Sequence, residues 1–271
     1  MKGLVRIALL AAIVGSMLTT AWAGEETIGV KLRMWSATMG GDMRVDEDNI
    51  LGTEIDIDDV LDMEKDDKAF EGVITFKPFH NSRFDLEYWS NNFDGETRLA
   101  QTFIFDGETY DLGTQVNSSM DMNVATLTYS YVISTPRVAD IAIEAGPVIG
   151  VKLLDYEGSL HAVDAPVPFS AGEKFTTPAP VVGLRVTADL TKWITVEADV
   201  NGLKMSNIQD IDATLIDAHA EVTLNLWRGF YIGGGYHYFD IDVTDESGSS
   251  GEKTEVDFTL DGLYLSAGYR F

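Results

Sequence analysis

Four histidines and no cysteine limit the chemistry this chain can carry. Without a thiol there is no disulfide framework, no thiolate metal site and no cysteine nucleophile. No Gly-x-Ser-x-Gly run occurs either. His219 stands between Asp217 and Glu221 at two-residue spacing, which on a strand puts three side chains in one row. A histidine beside a carboxylate is the general-base arrangement of hydrolases. The same triplet is what a buried polar network contains, and that is the plainer reading. His80 falls in a short turn and His161 in a long connection, so neither joins the row. The other dense cluster is acidic. It includes Asp46, Glu47, Asp48, Glu54, Asp56, Asp58, Asp59, Asp62 and Glu64, between Asp42 and Asp67. Its spacing does not follow the EF-hand loop. A solvated acidic loop is the plain reading, and weak divalent-cation binding by residues 42–67 is the sharper one. No catalytic residue, cofactor or dedicated metal site is expected from these patterns.

The remaining charges are spread rather than clustered. Lys31, Arg33, Glu71, Lys77, Arg83, Asp85, Glu87, Glu144, Lys152, Arg185, Asp189, Glu197, Asp199, Asp217, His219, Glu221 and Arg270 all fall on the polar side of runs that alternate with apolar residues. If those polar sides face one enclosed space, charges of both signs must pair or be hydrated, because an isolated buried ion is costly. Two uses follow: a salt-bridge network that fills the space, or a pore whose charge selects solutes.

The elements that would position these residues are strands. In Ile28–Trp35, every second residue is apolar. Similar alternation runs through 70–77, 83–88, 125–133, 141–146, 182–190, 196–201, 216–226, 230–239 and 263–271. Period-two alternation is the signature of a strand with one apolar and one polar face. A soluble sandwich would also alternate. Against it stand the connections, which are short near 79–82, 134–138, 191–193 and 227–229. The long, acidic connections fall at Ala37–Asp67, Asp155–Thr177 and Asp242–Glu255. Short turns at one end and long loops at the other are the pattern of transmembrane barrels. Phe76, Phe79, Phe84, Tyr131, Trp193, Trp227, Phe230 and Phe271 lie beside the short turns, where an interfacial girdle would sit. The expected fold is therefore an all-β, antiparallel, up-and-down transmembrane barrel of about ten strands, with eight or twelve as alternatives. Pro147 falls mid-strand and should mark a bulge or a break in pairing. Residues 95–119 read as a projecting hairpin that turns at Asp106–Gly107.

The first residues place Lys2 and Arg6 ahead of an apolar run from Ile7 to Leu18, followed by Ala21-Trp22-Ala23. This is the layout of a secretory leader covering residues 1–23, with the barrel over 24–271. The formal charge of −25 becomes more negative once the leader's two cations are gone. Such a surface repels phosphate, so nucleic acid is not an expected partner.

The closing run Leu263-Tyr264-Leu265-Ser266-Ala267-Gly268-Tyr269-Arg270-Phe271 resembles the terminal strand of Gram-negative outer-membrane barrel proteins. The resemblance implies that Leu265, Tyr269 and Phe271 form the signal read by the barrel assembly machinery. It also implies a place in the outer membrane, with its lipids and lipopolysaccharide as neighbours. The run Thr53–Leu61 resembles a loosely characterised set of small bacterial outer-membrane proteins, which implies no activity. The function expected is non-enzymatic: porin-like transport or surface binding, with a lumen narrowed or plugged by the charge network. The alternatives are an outer-membrane hydrolase using His219 and its carboxylates, or a recognition or adhesion protein acting through its loops.

Overall fold

The computed structural model describes residues 28–46, 51–56, 66–105, 108–135, 141–164, 170–208, 211–246 and 253–271. Ten long strands make up the wall: β1 (Ile28–Asp46), β2 (Asp66–Phe79), β3 (Ser82–Arg98), β4 (Gln115–Tyr131), β5 (Ala142–Ala162), β6 (Ser170–Asp189), β7 (Ile194–Ile208), β8 (Ile211–Trp227), β9 (Phe230–Asp245) and β10 (Lys253–Arg270). Each pairs antiparallel with its neighbours in chain order, and β10 returns to pair with β1, Gly29 facing Arg270. The sheet thus closes on itself with the ten strands that the alternation predicts. No helix among the described residues is long and apolar enough to cross a membrane. The leader expected over 1–23 lies outside the described residues.

The turns at one end are tight. Arg228 and Gly229 both take positive φ, 45° and 83°, as the two central residues of a type I′ hairpin turn do. A Cβ on Gly229 would lie 2.2 Å from the carbonyl oxygen of Arg270, so glycine is required there. All eight aromatic residues assigned to the girdle are exposed on the outer face at this end.

The long connections are shorter than the sequence suggests, and this corrects the expected loops. β1 runs on to Asp46, β5 to Ala162 and β9 to Asp245, while β2, β6 and β10 begin at Asp66, Ser170 and Lys253. The reason is a change of phase in the alternation while the strands continue. On β1, Leu32 and Met34 point outward, and the apolar positions then become Trp35, Ala37 and Met39, which are buried inside. On β10 the outward apolar residues are Leu263, Leu265 and Tyr269, but higher up the buried ones are Phe258 and Leu260 on the inner face. The same switch occurs on β3 between Tyr88 and Trp89 and on β9 between Tyr236 and Phe239. Below the switch the wall is apolar outside and polar inside, as lipid requires. Above it the wall is polar outside and apolar inside, like a barrel in water. Read linearly, the outward charges of the upper part look like loops.

The stretch 95–119 forms the expected hairpin, with its outer part folded over the mouth. β3 and β4 extend to Arg98 and from Gln115, and a small hairpin (Phe103–Phe105 with Glu108–Tyr110) folds over the mouth. Phe103 and Tyr110 stack at 4.9 Å and join the same apolar cluster as Phe93 and Met120. Thr53 holds the hairpin down, its N–H donating to the carbonyl of Ile104 at 2.9 Å. The turn at Asp106–Gly107 lies outside the described residues.

Three prolines explain local gaps. Pro147 pairs with Leu184 in regular register on the β6 side. On the other side the β4 ladder stops at Val148, and pairing resumes with the short strand Ile133–Ser134 at Ala145. The expected break is present and the register is unchanged across it, so there is no bulge. Pro178 and Pro180, which can offer no N–H to a second neighbour, sit just above the Val182–Gly202 pair, where the β6–β7 ladder ends.

The phase switch predicts opposite responses along one outer face. Leu184→Arg, in the lipid band, should cost about 2–4 kcal/mol. Asp257→Arg, above the switch on β10, should cost less than about 0.5 kcal/mol. Inside, Phe239→Ala should cost about 3–5 kcal/mol. Equilibrium denaturant unfolding in lipid vesicles measures all three.

Candidate functional site

The inner face below the switch carries a continuous set of ion pairs. Neighbouring strands contribute some directly. Arg33 faces Glu71 in register and binds it, and Arg185 faces Asp199 with Nε 2.9 Å from its carboxylate. Most of the others cross the barrel. Lys31 Nζ donates to Glu221 at 2.6 Å, from β1 to β8. Arg83 Nη1 donates to Glu197 at 2.6 Å, from β3 to β7, and its Nε lies 2.9 Å from Asp85 on its own strand. Arg185 reaches over to Asp85 as well. Lys152 on β5 donates to Asp217 on β8, both side chains being essentially fully buried. Glu87 lies 3.7 Å from Arg33. Each charge is thereby enclosed by opposite charge, the condition for holding ions in a low-dielectric interior.

Four residues of the expected network sit apart from these pairs. Lys77 and Glu144 stand at the rim beside the short turns, 4.0 Å apart and well exposed. Asp189 makes no ion pair among the described residues and accepts a hydrogen bond from Thr195 at 2.7 Å. Arg270, also near this end, donates to Asn225 at 3.1 Å and covers the ring of Tyr231. Glycines make room for the aromatic rings that close the layer. A Cβ on Gly235 would fall 2.5 Å from the ring of Tyr264, and one on Gly268 would fall 2.3 Å from that of Tyr231. Only a small cavity of about 20 Å3 remains between the charged side chains, lined by Arg83, Arg185 and His219 among others.

Above the charges rises an aromatic column. His219 stacks on His237 at 3.8 Å, and His237 on Trp35 at 4.1 Å. Trp35 meets Trp89 edge-on at 5.7 Å, and Trp89 meets Phe239 at 5.1 Å. Met39, Met120, Val124, Leu154 and Leu260 pack around it. His219 and His237 are direct register partners on β8 and β9. His237 and Lys152 belong to the centre of the site. His237 was legible as lying on the inward phase of its strand, but nothing local marked it as a neighbour of His219.

No family model and no curated protein matches this chain. Solved structures do. The outer membrane protease OmpT from Escherichia coli superposes with a TM-score of 0.51 at 9% identity, over 94% of this chain and 99% of that one. The translocator domain of the autotransporter NalP from Neisseria meningitidis gives 0.36 at 11% identity, over 100% and 96%. The attachment invasion locus protein Ail of Yersinia pestis gives 0.32 at 11% identity, over 91% and 100%. The chain is a β-barrel of the Gram-negative outer-membrane type. The exposed apolar band with its aromatic girdle is the surface such a barrel presents to lipid.

In this barrel the acidic segment 42–67 is only partly described. Asp42 faces Asp257 on β10 and Asp56 in the short strand Ile55–Asp56, and residues 57–65 lie outside the described part. The outward row Leu265, Tyr269 and Phe271 is exposed on the last strand, and the N–H of Phe271 donates to the carbonyl of Ile28 at 2.8 Å.

The interior gives a direct mutational test. Arg185→Met removes a cation shared by Asp85 and Asp199, leaving charge uncompensated in a dry site. Unfolding in vesicles should show a loss of about 3–5 kcal/mol. A hydrated site would lose less than about 1 kcal/mol.

Proposed function

We propose that this barrel does not pass solute along its axis and instead works at the cell surface, through the part of its wall that stands above the lipid band. The observation that supports this reading is the filled interior. An ion layer occupies the lower half, an aromatic and aliphatic core the upper half, and the hairpin at Phe103–Tyr110 lies over the top. A pore would need a continuous wet path, and the apolar core offers none.

What the upper wall presents is acidic. Asp242, Asp257, Asp42 and Asp56 face one another in turn across four strands. Like charges directly opposite one another destabilise a sheet, so a cationic partner would relieve the row. Such a surface suits basic ligands, or divalent ions shared with lipopolysaccharide. Export with removal of residues 1–23, and insertion guided by Leu265, Tyr269 and Phe271, complete the proposal. The hydrolase alternative is disfavoured by enclosure. The His219 side chain is only 8% exposed and lies beneath the aromatic column, where no peptide or lipid ester can reach it.

Planar-bilayer recording on purified protein tests the reading. The expected result is no stable conductance steps at any voltage that the bilayer tolerates. Large, steady single-channel currents would overturn it in favour of a porin.

A further inference from the structure

Three acceptor atoms converge where the ion layer meets the aromatic column. Glu71, His219 and His237 each offer a ligand atom, and these atoms lie within 4.8 Å of one another; the acceptors left free on the three side chains are Glu71 Oε2, His219 Nε2 and His237 Nδ1. Each is buried, and none has a hydrogen-bond partner among the described residues. His237 Nδ1 and Glu71 Oε2 are 3.8 Å apart. An orphaned buried acceptor is costly, and three lie side by side here. A cation placed among them would remove that cost.

The surroundings prepare the two imidazoles for such a role. Asp217 Oδ1 lies 3.0 Å from His237 Nε2 and 3.4 Å from His219 Nδ1. A carboxylate hydrogen-bonded to His237 Nε2 takes that ring's proton-bearing nitrogen and leaves its Nδ1 bare, the outer-shell arrangement that orients a histidine ligand, and His219 Nδ1 faces the same oxygen. Lys152 in turn holds Asp217. Glu71 keeps its second oxygen on Arg33, so its free oxygen is fixed in direction.

The charge count agrees. The buried layer holds seven carboxylates, on Glu71, Asp85, Glu87, Glu197, Asp199, Asp217 and Glu221, against five cations, on Lys31, Arg33, Arg83, Lys152 and Arg185. Carboxylates thus outnumber cations in the layer, the sense of imbalance that a bound cation would offset.

We propose that Glu71, His219 and His237 form a buried site for one divalent transition-metal ion of the zinc type. Two imidazoles and one carboxylate suit that class rather than calcium or magnesium, which take oxygen ligands. Three protein ligands leave a further coordination position, and His219 borders the polar cavity that could supply a water to it. A second small cavity, lined by Glu144 at the short-turn rim, also touches Arg83 and Arg185. The metal would tie β8 and β9 to β2 across the barrel, and it would go beyond the surface role, which does not need it.

The test uses full-length protein without a polyhistidine tag, loaded with zinc in detergent and freed of loosely held ion. Zinc-edge X-ray absorption of the wild type should show one zinc per chain with mixed nitrogen and oxygen ligation and imidazole scattering. All-oxygen ligation, or less than one zinc per ten chains, would overturn the proposal. The first would mean surface carboxylates only, and the second that a proton settles the three acceptors. Among variants, His219→Gln, His237→Gln and Glu71→Gln should lose the stoichiometric ion, whereas His80→Gln and His161→Gln should keep it. Asp217→Asn should bind about 10- to 100-fold more weakly. Heat-modifiable gel mobility identifies any variant that does not fold, and the wild-type spectrum decides the question without it.

Discussion

A closed barrel of ten strands brings its inner faces near enough for long side chains to meet across the lumen. That constraint governs the rest of the structure, because side chains from facing strands must fill one another's space. In the lower half the outer positions belong to lipid and take the apolar residues, so the inner positions inherit charge. Those charges cannot be left single, and they are not: Lys31 reaches Glu221, Arg83 reaches Glu197, and Lys152 reaches Asp217. The pairs that span the lumen also fix which strands face each other. Replacing either partner leaves an ion in a place that water reaches poorly.

Once the wall leaves the lipid, the demand reverses. The outer face must be wet, and the inner face can be built like any protein core. Trp35, Trp89 and Phe239 fill it, and the hairpin with Phe103 and Tyr110 extends it over the mouth. His219 and His237 stand at the boundary, with Asp217 below and Trp35 above. An apolar core packed over an ion layer offers no continuous polar path among the described residues. That is why the functional reading moves to the outer surface of the extracellular part.

The sequence made the strands legible wherever apolar residues alternated in one phase, as from Leu263 to Phe271. It hid the upper strands because the phase changes. Asp42, Asp240 and Asp257 sit on outward positions of regular ladders, yet in linear order they resemble solvated loops. The inward charges were legible from their parity, but their partners were not. Parity gives the face, whereas cross-barrel neighbours depend on closure. The pairing of the two histidines shows the limit most clearly. Counting back from the two-residue turn, with Trp227 opposite Phe230, puts Tyr238 opposite His219. A register shift between Asn225 and Trp227 moves the partner to His237. A one-residue slip decides which side chain faces inward, and no local signal marked this one.

The claim on which the account depends is that the wall changes environment at a fixed height while its strands continue. The chain contains no cysteine, so single cysteines can carry spin labels without background. Labels at the outward positions of β10, from Ala267 through Leu265, Leu263, Asp261 and Thr259 to Asp257, report collision with oxygen, which concentrates in lipid, and with a water-soluble nickel chelate. The account predicts oxygen-dominated collision through Leu263 and a change to nickel-dominated collision from Asp261 upward, with strand-like immobility throughout. Lipid-like accessibility continuing to Asp257, or free motion beginning at Asp261, would contradict it.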